Sequence, residues 1–443
     1  MISTRHYDVI IVGGGISGTA LLFLLARYSD VERIALVEKY PALASVNSHG
    51  RNNSQTLHMG DIETNYTLDK ARTVQAAARM VIRYVKRFAA GEDILYRYPK
   101  MVLAVGEAEC ARLAARFEEF SPAFPRLEKL EATDIARIEP AVMEKRRGPV
   151  LALGLAEDDC AANFQRLAGS FARQAQDTGG RQVDLHLDTR VRAIGEDDDG
   201  GFRLDTSAGP LAARSVVVSA GGHSLLFAQR MGYGLEYACL PIAGSFYFAP
   251  QVLRGKVYTV QNEKLPFAAI HGDPDILVPG KTRFGPTALA LPELERYNLA
   301  TVPDFLRVMG LDRDVLATLG GLLREPEIRA YILRNFLYEV PGIRRPLFAR
   351  EVRRIVPGIR ARDLRFARRV GGIRPVMIDK PRRRLHLGEA KVAPGNGIIF
   401  NMTPSPGATS CLQNALGDLR AVAGFLGAGV DEAALQQELG GGE

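Results

Sequence analysis

A histidine at the end of an apolar strand is the leading candidate for acid–base chemistry in this sequence. His271 follows the run Ala268-Ala269-Ile270 and precedes Gly272-Asp273-Pro274. A neutral imidazole there can accept a proton from a substrate hydroxyl group, and Asp273 is near enough in sequence to orient the ring or pair with its charged form. The segment predicts His271 and Asp273 as catalytic residues, with a purely structural strand-end histidine as the alternative.

Two arginines could bind carboxylates beside this histidine. Arg283 lies on the next predicted strand, and Arg374 stands between Gly372 and Pro375. A guanidinium group binds a carboxylate through two parallel N–H···O bonds, so the pair would suit a 2-hydroxy acid with two carboxylates. The alternative for each is a surface ion pair, which is common in a chain this rich in arginine.

The N-terminal residues carry elements that would hold a nucleotide beside these groups. The apolar run 7–12 ends in Gly13-x-Gly15-x-x-Gly18, and a helical pattern over 19–28 follows at once. Gly13 makes the tight turn, Gly15 lets the backbone approach a pyrophosphate, and Gly18 lets the helix pack closely on the strand. The helix N-terminus adds free N–H groups and the positive end of its dipole.

An acidic residue completes this pattern. Glu38 ends a short predicted strand over 34–37 and lies twenty residues beyond Gly18, where a carboxylate accepts hydrogen bonds from a ribose diol. Strand, helix and acid together predict dinucleotide binding rather than a glycine-rich turn without a ligand.

Two further segments are predicted to contact the same nucleotide, one near residue 220 and one near residue 405. No second glycine motif has a strand before it and a helix after it, which favours one tightly held FAD, although the first motif alone leaves NAD possible. The predicted cofactor-binding residues are Gly13, Gly15, Ser17, Gly18, Glu38, Lys39, Asn53, Ser54, Gln55, Val191, Ala220, Gly221, Gly372, Ser405, Gly407, Ala408 and Thr409.

A second histidine competes for the role of base. His58 lies in the loop after the first βαβ unit, a loop that passes the flavin ring in many flavoproteins. It is a candidate substrate-binding residue and the alternative base to His271. It can equally serve only to hold that loop in place.

Charge is unevenly distributed along the chain of 443 residues. The net charge is +7, but residues 324–384 contain 17 arginines and one lysine against six acidic residues, a local net charge of +12. One basic segment favours a local anionic partner over general affinity for nucleic acid, and a solvated arginine-rich face is the alternative. Four scattered cysteines without a CxxC pattern argue against a disulfide framework and a zinc site, so a cytoplasmic location is the default expectation.

The order of segments predicts an α/β protein with a Rossmann-type FAD-binding domain and an antiparallel-sheet substrate domain. Nucleotide-contacting pieces lie at the start, middle and end of the chain, so the binding domain is expected to be discontinuous. The predicted division assigns 1–90, 150–235 and 370–443 to FAD binding, and 91–149 and 236–369 to substrate and membrane docking. Residues 9–26 are apolar enough to mimic a membrane anchor, but their four glycines fit nucleotide binding better.

Longer stretches of the sequence resemble one family, the shorter branch of the malate:quinone oxidoreductases. The resemblance spans residues 5–430, and its most specific motif is Asn401 to Ala415. Shorter pieces such as Gly372-Ile373-Arg374-Pro375 are shared with the wider group of flavin-dependent 2-hydroxyacid dehydrogenases and amine oxidases. The matching stretches are 53–56, 63–67, 240–248, 255–262, 265–275, 283–289 and 401–415.

The resemblance implies FAD as cofactor, oxidation of (S)-malate to oxaloacetate, and a membrane quinone as electron acceptor. It also implies a fold of the glutathione-reductase/amino-acid-oxidase type and a peripheral position on the cytoplasmic face of the cell membrane. In this scheme His271 takes the proton of the C2 hydroxyl group as the C2 hydride leaves for the flavin. Arg283 and Arg374 bind the two carboxylates.

Two alternatives stay open at the level of sequence. An L-2-hydroxyglutarate dehydrogenase or oxidase would share the chemistry and differ in pocket length. A flavin-binding sensor or membrane-recruited scaffold would have no turnover.

The basic segment is also predicted to dock on an anionic membrane. It interleaves arginines with Tyr331-Ile332-Leu333, Phe336-Leu337-Tyr338 and Leu347-Phe348, which could insert shallowly into lipid.

Overall fold

The N-terminal residues form the predicted βαβ unit. Strand β1 (Arg5–Val12) leads into helix α1 (Ile16–Tyr28), and strand β2 (Arg33–Val37) runs parallel to β1 with Val12 opposite Val37. Alternate residues of β1 enter two different apolar cores, because both faces of this strand are covered. A strand buried on both faces explains the uninterrupted apolar run in the sequence.

The structure is a computed structural model that describes residues 4–197, 200–261, 270–386, 388–403 and 406–440. The other helices are α2 (Leu68–Phe88), α3 (Glu107–Phe120), α4 (Ala132–Ile138), α5 (Pro140–Met143), α6 (Phe164–Gln176), α7 (Gly222–Arg230), α8 (Val302–Met309), α9 (Arg313–Arg324), α10 (Pro326–Leu337), α11 (Arg344–Ile355), α12 (Cys411–Leu426) and α13 (Glu432–Glu438), with short 3-10 helices at Leu299–Thr301 and Ala361–Asp363. The other strands are β3 (Leu95–Val105), β4 (Glu128–Leu130), β5 (Val150–Ala162), β6 (Gln182–His186), β7 (Val191–Glu196), β8 (Phe202–Thr206), β9 (Leu211–Val218), β10 (Tyr237–Ala243), β11 (Tyr247–Pro250), β12 (Lys256–Thr259), β13 (His271–Pro274), β14 (Lys281–Gly285), β15 (Leu289–Ala290), β16 (Arg365–Phe366), β17 (Ile373–Asp379), β18 (Arg384–His386), β19 (Ala390–Val392) and β20 (Ile398–Met402).

The nucleotide-binding sheet is built from distant parts of the chain. Its strand order is β19-β20-β9-β1-β2-β6, with β7 and β8 attached beside β9, and the five strands from β20 to β6 are parallel. Helix α1 lies against α6 and α12 and is buried except at Ser17 and Arg27. Strands β1 and β9 end side by side, so the residues that follow them meet at one edge of the sheet.

Two more sheets stand beside the first. One has the order β16-β11-β14-β13-β12-β3-β5-β4 and is antiparallel except for the parallel pair of β12 and β3. The other is the four-stranded antiparallel sheet β15-β10-β17-β18. Strand-like runs alternate with Gly/Pro turns over 236–300 and predict an antiparallel sheet, but the structure divides this region between two sheets.

The division of the chain differs from the predicted one at two places. Strand β5 (Val150–Ala162) pairs with β3 in the eight-stranded antiparallel sheet, whereas the prediction assigned residue 150 onward to FAD binding. Strand β17 (Ile373–Asp379) pairs with β10 in the four-stranded sheet, although it was assigned to the FAD-binding domain from residue 370. In both cases the predicted boundary falls at or just before a strand that pairs in an antiparallel sheet.

Several predicted elements are confirmed. The sequence pattern predicts helices over 69–88 and 163–176, and these are α2 and α6, with Asn163 as the N-cap of α6. It also predicts a strand over 202–206, which is β8, and mainly helical structure over 302–365, which the structure has. No helix in the described ranges has both the length and the hydropathy needed to cross a bilayer.

Candidate active site

A cavity of about 610 Å³ opens where the parallel sheet meets the two antiparallel sheets. Its walls come from the ends of β1, β2 and β10, from the loop after β2, and from the segments that follow β9, β14 and β20. Glu38 and Val191 mark one end, whereas His271, Tyr258 and Arg374 line another part of the wall.

The glycine motif leaves its backbone open toward this cavity. Gly13 has φ +112°, and a Cβ atom on Gly18 would lie 2.0 Å from the carbonyl oxygen of Gly13, so the turn and the helix contact both require glycine. A Cβ atom on Gly15 would meet only the Ser48 Oγ atom, at 3.3 Å. This space lies beside the N-terminus of α1, where the Ile16 N–H donates to the Ser48 hydroxyl, and it fits the pyrophosphate of a dinucleotide.

The carboxylate of Glu38 is held in place by backbone donors. Its Oε2 atom accepts a hydrogen bond from the Gly14 N–H at 2.7 Å, and its Oε1 atom accepts one from the Tyr40 N–H at 3.0 Å. Burial raises the pKa of this carboxyl group, and the two N–H donors oppose the rise. The adjacent Lys39 pairs with Glu295, so two predicted cofactor residues are fixed before any ligand binds.

His271 lies on a wall of charged and aromatic side chains contributed by three neighbouring strands. Its ring stacks on Tyr258 of β12, with centroids 4.5 Å apart, and its Nε2 atom lies 3.5 Å from the Asp273 Oδ1 atom. Residues two apart in a strand share a face, so His271 and Asp273 of β13 face the same way, as do Lys256 and Tyr258 of β12. The predicted pair of His271 and Asp273 is therefore brought together.

Asp273 lies between several cations. Its Oδ2 atom is 3.0 Å from Lys256 Nζ and 3.5 Å from Arg283 Nη2, and Arg283 reaches Asp275 at 3.5 Å. Burial favours the neutral carboxyl group, but the charges of Lys256, Arg283 and His271 outweigh it and lower the pKa of Asp273. Asp273 is thus an anion behind the histidine.

Arg283 does not lie among the residues that line the cavity. Its side chain is fully buried, it donates to the Gly50 carbonyl oxygen at 3.3 Å, and its guanidinium group lies 4.4 Å from the centre of the Phe246 ring. Asp273 stands directly opposite it on β13. Two buried aspartates, Asp273 and Asp275, pair with the guanidinium group. The predicted role of Arg283 as a ligand of a substrate carboxylate therefore does not fit its position.

Arg374 does line the cavity. It lies on β17 opposite Ile242 of β10, and its neighbours include the phenol groups of Tyr66 and Tyr331, which interact with it electrostatically. Burial lowers the pKa of its guanidinium group, and the two phenols oppose the change.

His58 also lines the cavity and is held by an ion pair. Its Nδ1 atom lies 2.7 Å from the Glu63 Oε1 atom, and its backbone N–H donates to the Thr409 hydroxyl at 3.1 Å. Burial alone would raise the pKa of Glu63, but the hydrogen bond and charge of His58 lower it. His58 is therefore placed beside a carboxylate, as His271 is placed beside Asp273.

Most of the predicted cofactor residues surround the cavity. Those that line it are Gly13, Gly15, Ser17, Glu38, Lys39, Asn53, Ser54, Val191, Ala220, Gly221, Gly372, Gly407, Ala408 and Thr409. Gly18 instead packs α1 against the turn, and Gln55 is buried, donating to the Gly50 carbonyl oxygen and accepting from the Ile276 N–H. Ser405 lies outside the described residues, as do residues 262–269 before His271.

Several lining residues were not predicted from the sequence, chiefly Tyr258, Asn47, Ser48 and Thr287. Lys256 and Tyr258 stand two apart in a stretch used only for the family resemblance, and that spacing on a strand is the signal that could have paired them with His271 and Asp273. Asn47 and Ser48 have no comparable pattern. They lie in an irregular loop whose path depends on the sheet below it.

Comparisons with known proteins agree on the class of the chain. The family model described as FAD dependent oxidoreductase matches residues 8–412. A malate:quinone oxidoreductase of Helicobacter pylori is 41% identical over 431 residues, covering 96% of each chain. Human mitochondrial L-2-hydroxyglutarate dehydrogenase is 25% identical over 436 residues, covering 93% of this chain and 87% of its own.

A solved structure with the same fold is the L-α-glycerophosphate oxidase of Mycoplasma pneumoniae with FAD bound. It superimposes with a TM-score of 0.64 at 18% identity and covers 96% of both chains. At that identity the likeness concerns the fold, and it confirms the predicted architecture of a Rossmann-type domain joined to an antiparallel sheet.

Proposed function

Since the chain belongs to the malate:quinone oxidoreductases, within the FAD-dependent oxidoreductases, we propose that malate is oxidised in the cavity between the three sheets. The family membership confirms FAD and the oxidation of malate with quinone as acceptor, as the resemblance of the sequence implied. The match to L-2-hydroxyglutarate dehydrogenase is more distant, at 25% identity against 41% for the malate:quinone oxidoreductase. This difference favours malate over the longer substrate.

One observation carries the assignment of residues to this reaction. A single cavity is lined both by the glycine motif with Glu38 and by His271 with Arg374. FAD, when bound, accepts the two electrons of the substrate as a hydride. The residues that would hold it are Gly13, Gly15, Glu38 and the segments around Ala220 and Gly407.

His271 is the proposed base for the C2 hydroxyl group of malate. It lines the cavity, and Asp273 lies 3.5 Å from its Nε2 atom, where a carboxylate orients the ring and stabilises the imidazolium ion that proton removal creates. Lys256 and Arg283 hold Asp273 from behind. Arg283 thus acts as a positioning residue for the base rather than as a ligand of the substrate.

Arg374 is the proposed partner of one substrate carboxylate. Its guanidinium group lies in the same cavity wall, and two parallel hydrogen bonds from it would fix the acid end and orient C2. Tyr66 and Tyr331 lie close enough to Arg374 to interact with its guanidinium group electrostatically.

The decisive experiment is anaerobic reduction of the flavin. The purified protein should be yellow, and malate should bleach its visible absorbance without oxygen, with L-2-hydroxyglutarate reducing it more slowly. A protein that keeps its FAD and is not reduced by malate would contradict the function and favour a sensor or scaffold. Faster reduction by L-2-hydroxyglutarate would instead reassign the substrate.

We also propose that the protein binds the inner face of the cell membrane at helices α8 to α10. This surface exposes large apolar side chains, with Leu333 60% and Leu316 56% exposed. The same surface carries Leu306, Leu311, Leu323, Ile332, Phe336, and the exposed arginines Arg324, Arg329 and Arg334. Exposed apolar side chains and exposed arginines on the same helices would complement a bilayer of anionic lipid, where each basic residue contributes about 1 kcal/mol.

The structure changes which residues of the basic segment can make this contact. Phe348 is fully buried against Tyr247, with ring centroids 4.1 Å apart, so the predicted insertion of Leu347 and Phe348 is wrong. Arg354 pairs with Glu109 at 2.6 Å, and Arg353 donates to the Ile359 carbonyl oxygen at 3.1 Å. The contact is therefore assigned to α8, α9 and α10 rather than to α11.

Co-sedimentation with vesicles tests this surface. L333E/F336E should lose binding to vesicles containing anionic lipid, and binding of the wild type should weaken as salt is raised. R353E/R354E is the matched control and should bind nearly as well as the wild type. Equal binding to neutral vesicles, or loss of binding only in the control, would contradict the proposal.

A further inference from the structure

A segment outside the predicted FAD-binding residues forms part of the wall at the nucleotide end. Strand β15 ends at Ala290, and the chain then runs through the 3-10 helix Leu299–Thr301 into the first turn of α8. We name residues 291–304 the strap. Its residues in the cavity wall are Leu294, Glu295, Asn298, Ala300, Thr301 and Asp304. The sequence assigned this segment to substrate and membrane docking, so its place in this wall points to a further role.

Glu295 fastens the strap to the residues that follow β2. The Tyr40 hydroxyl group donates to the Glu295 Oε2 atom at 2.6 Å, and the Lys39 ammonium group pairs with the Oε1 atom. Asn298, within the strap, donates to the Oε2 atom at 2.9 Å. Burial favours the neutral carboxyl group, but the charge of Lys39 and these hydrogen bonds outweigh it and lower the pKa of Glu295. Glu295 is therefore a buried anion held by donors on both segments.

The same attachment reaches the acidic residue of the nucleotide motif. Tyr40 donates through its backbone N–H to the Glu38 Oε1 atom at 3.0 Å and through its hydroxyl group to Glu295. One residue thus joins the strap to the carboxylate that is proposed to bind the ribose. Lys39, the other partner of Glu295, lines the cavity itself. The strap is attached to the residues on which the nucleotide end depends.

The strap also contacts helix α7. Leu294 is 2% exposed, and a Cβ atom on Gly222 would lie only 3.3 Å from its Cδ2 atom. At the other end of the strap, the Asp304 carboxylate lies 3.8 Å from the Arg230 guanidinium group. Helix α7 follows Gly221, a predicted cofactor residue. The strap therefore bridges two of the segments that are proposed to hold FAD.

Hydrogen bonds within the strap tie its two halves together. The Thr301 hydroxyl accepts from the Leu294 N–H at 3.1 Å and donates to the Asn298 carbonyl oxygen at 2.7 Å. The Glu293 carboxylate accepts from the Tyr297 N–H at 2.8 Å. A loop that is closed on itself in this way moves as one body. Its attachment to the rest of the molecule then decides whether it opens.

The two polar attachments differ in strength. Arg230 is 42% exposed and Asp304 27% exposed, and Arg307 of the same helix also reaches Asp304, at 3.0 Å. An exposed ion pair of this kind contributes little, because water screens it and side-chain entropy opposes it. The Glu295 side chain is only 8% exposed. The buried contact at Glu295 therefore carries most of the polar attachment.

We propose that Glu295 retains FAD in the protein by fastening the strap to Lys39 and Tyr40 across the nucleotide end of the cavity. FAD leaves when this contact opens, because the strap forms part of the wall around that end. The inference rests on the proposed function, since it takes this end of the cavity as the place of the nucleotide. Glu295 is a positioning residue, because it acts through the strap.

The test is E295Q, which keeps the shape of the side chain and removes its charge. Release of FAD from the holoenzyme, followed by the rise in flavin fluorescence, should be about ten-fold faster than in the wild type, the scale of losing one charge-assisted hydrogen bond. Hydrogen exchange of the backbone amides of residues 291–304 in the same holoenzyme should also be faster, because it reports opening of the strap. A lost direct contact with FAD would speed release and leave this exchange unchanged.

E438Q is the matched control. Glu438 of α13 is also a nearly buried carboxylate that accepts from a tyrosine hydroxyl, Tyr28 at 2.7 Å, and pairs with a cation, Arg27 at 2.7 Å. It is not among the described residues that line the cavity. E438Q should therefore lower the temperature of thermal unfolding and release FAD at the wild-type rate.

A milder variant keeps the test decisive if E295Q does not fold. Y40F removes one donor to Glu295 and leaves Lys39 in place, so release should be about three-fold faster. Release at the wild-type rate in both variants, equal acceleration in E438Q, or faster release without faster exchange in the strap would each overturn the proposal. Release needs no turnover, so a wild type that malate does not reduce would contradict the proposed function and not this inference.

Discussion

The two ends of the cavity are formed by different kinds of chemical group, backbone atoms at one end and side chains at the other. At the nucleotide end, Gly13, Gly15 and the N-terminus of α1 present backbone groups, and even Glu38 is oriented by backbone N–H donors. At the reaction end, His271 depends on side chains of three strands, with Lys256 and Arg283 holding Asp273. A backbone-built site depends on local geometry, whereas a site of side chains depends on a balanced set of buried charges.

The contrast predicts different kinds of failure. Substitutions at the nucleotide end should act by filling space that the backbone or the bound cofactor needs. Changes at the reaction end should act through charges left without partners, which are costly in a buried setting.

The largest effect is expected from D273N. Removing this carboxylate leaves Lys256 and Arg283 buried with one anion fewer, which should reduce the free energy of unfolding by about 3 to 5 kcal/mol. Urea unfolding of the FAD-loaded protein measures it. D93N, in the exposed pair with Arg166, should change stability by less than about 1 kcal/mol, and an equal effect of the two variants would contradict the difference between the ends.

The same variant has a pH signature with a definite sign. The pKa of Asp273 is lowered in the folded protein, so its contribution is present above the unfolded pKa of about 3.9 and is lost as pH falls through the folded value. The stability gap between wild type and D273N should thus stay constant near neutral pH and close only in strong acid. A gap that closed between about pH 5 and 7 would point to a histidine instead.

H271Q should come next in size. Loss of a general base slows the step by about 10²-fold or more, while FAD should be retained because the glycine motif and Glu38, which are proposed to hold it, are unchanged. Anaerobic stopped-flow reduction by malate measures it, and H386Q on the outer strand β18 is the control. Reduction at the wild-type rate would transfer the role of base to His58.

A matched pair of glycine substitutions sharpens the description of the nucleotide end. G18A places a Cβ atom 2.0 Å from the Gly13 carbonyl oxygen and should destabilise the fold by about 1 to 3 kcal/mol. G15A meets only Ser48 Oγ at 3.3 Å, so it should leave the stability of the FAD-free protein nearly unchanged and weaken FAD binding. Thermal unfolding and flavin release measure the two effects, and equal losses of stability would refute the distinction.

R374K should give the smallest effect, a rise of about ten-fold in the malate KM with little change in kcat. A lysine keeps the charge but cannot make two parallel hydrogen bonds to a carboxylate. Steady-state kinetics with a soluble dye as acceptor measures it. A fall in kcat with an unchanged KM would show that Arg374 acts on the reaction step and not on binding.

The same contrast explains what the sequence could predict. The strand, helix and acid of the nucleotide end lie within residues 5–38, so their roles could be assigned from spacing alone. The position of Arg283 could not, because the aspartate that occupies it stands on another strand and the sheet register decides the pairing. The pairing of His58 with Glu63 likewise depends on a loop held by Arg116 from a different helix.

The membrane surface shows the same limit. Apolar residues interleaved with arginines in 331–348 look alike in sequence, yet Leu333 and Phe336 are exposed whereas Phe348 lies in a core with Tyr247. Helical periodicity gives each helix an apolar face, but only packing decides whether another element covers it.

The strand order of the parallel sheet also governs how the protein can be made. Strand β1 pairs with β9, more than 190 residues later, and β9 pairs with β20, which ends at Met402. Helix α1 is covered by α12 from the last part of the chain. A ribosome must therefore synthesise almost the entire polypeptide before the FAD site is complete. Until then the apolar residues of β1 and α1 stay exposed in the nascent chain. Exposed apolar segments of this kind are what chaperones bind.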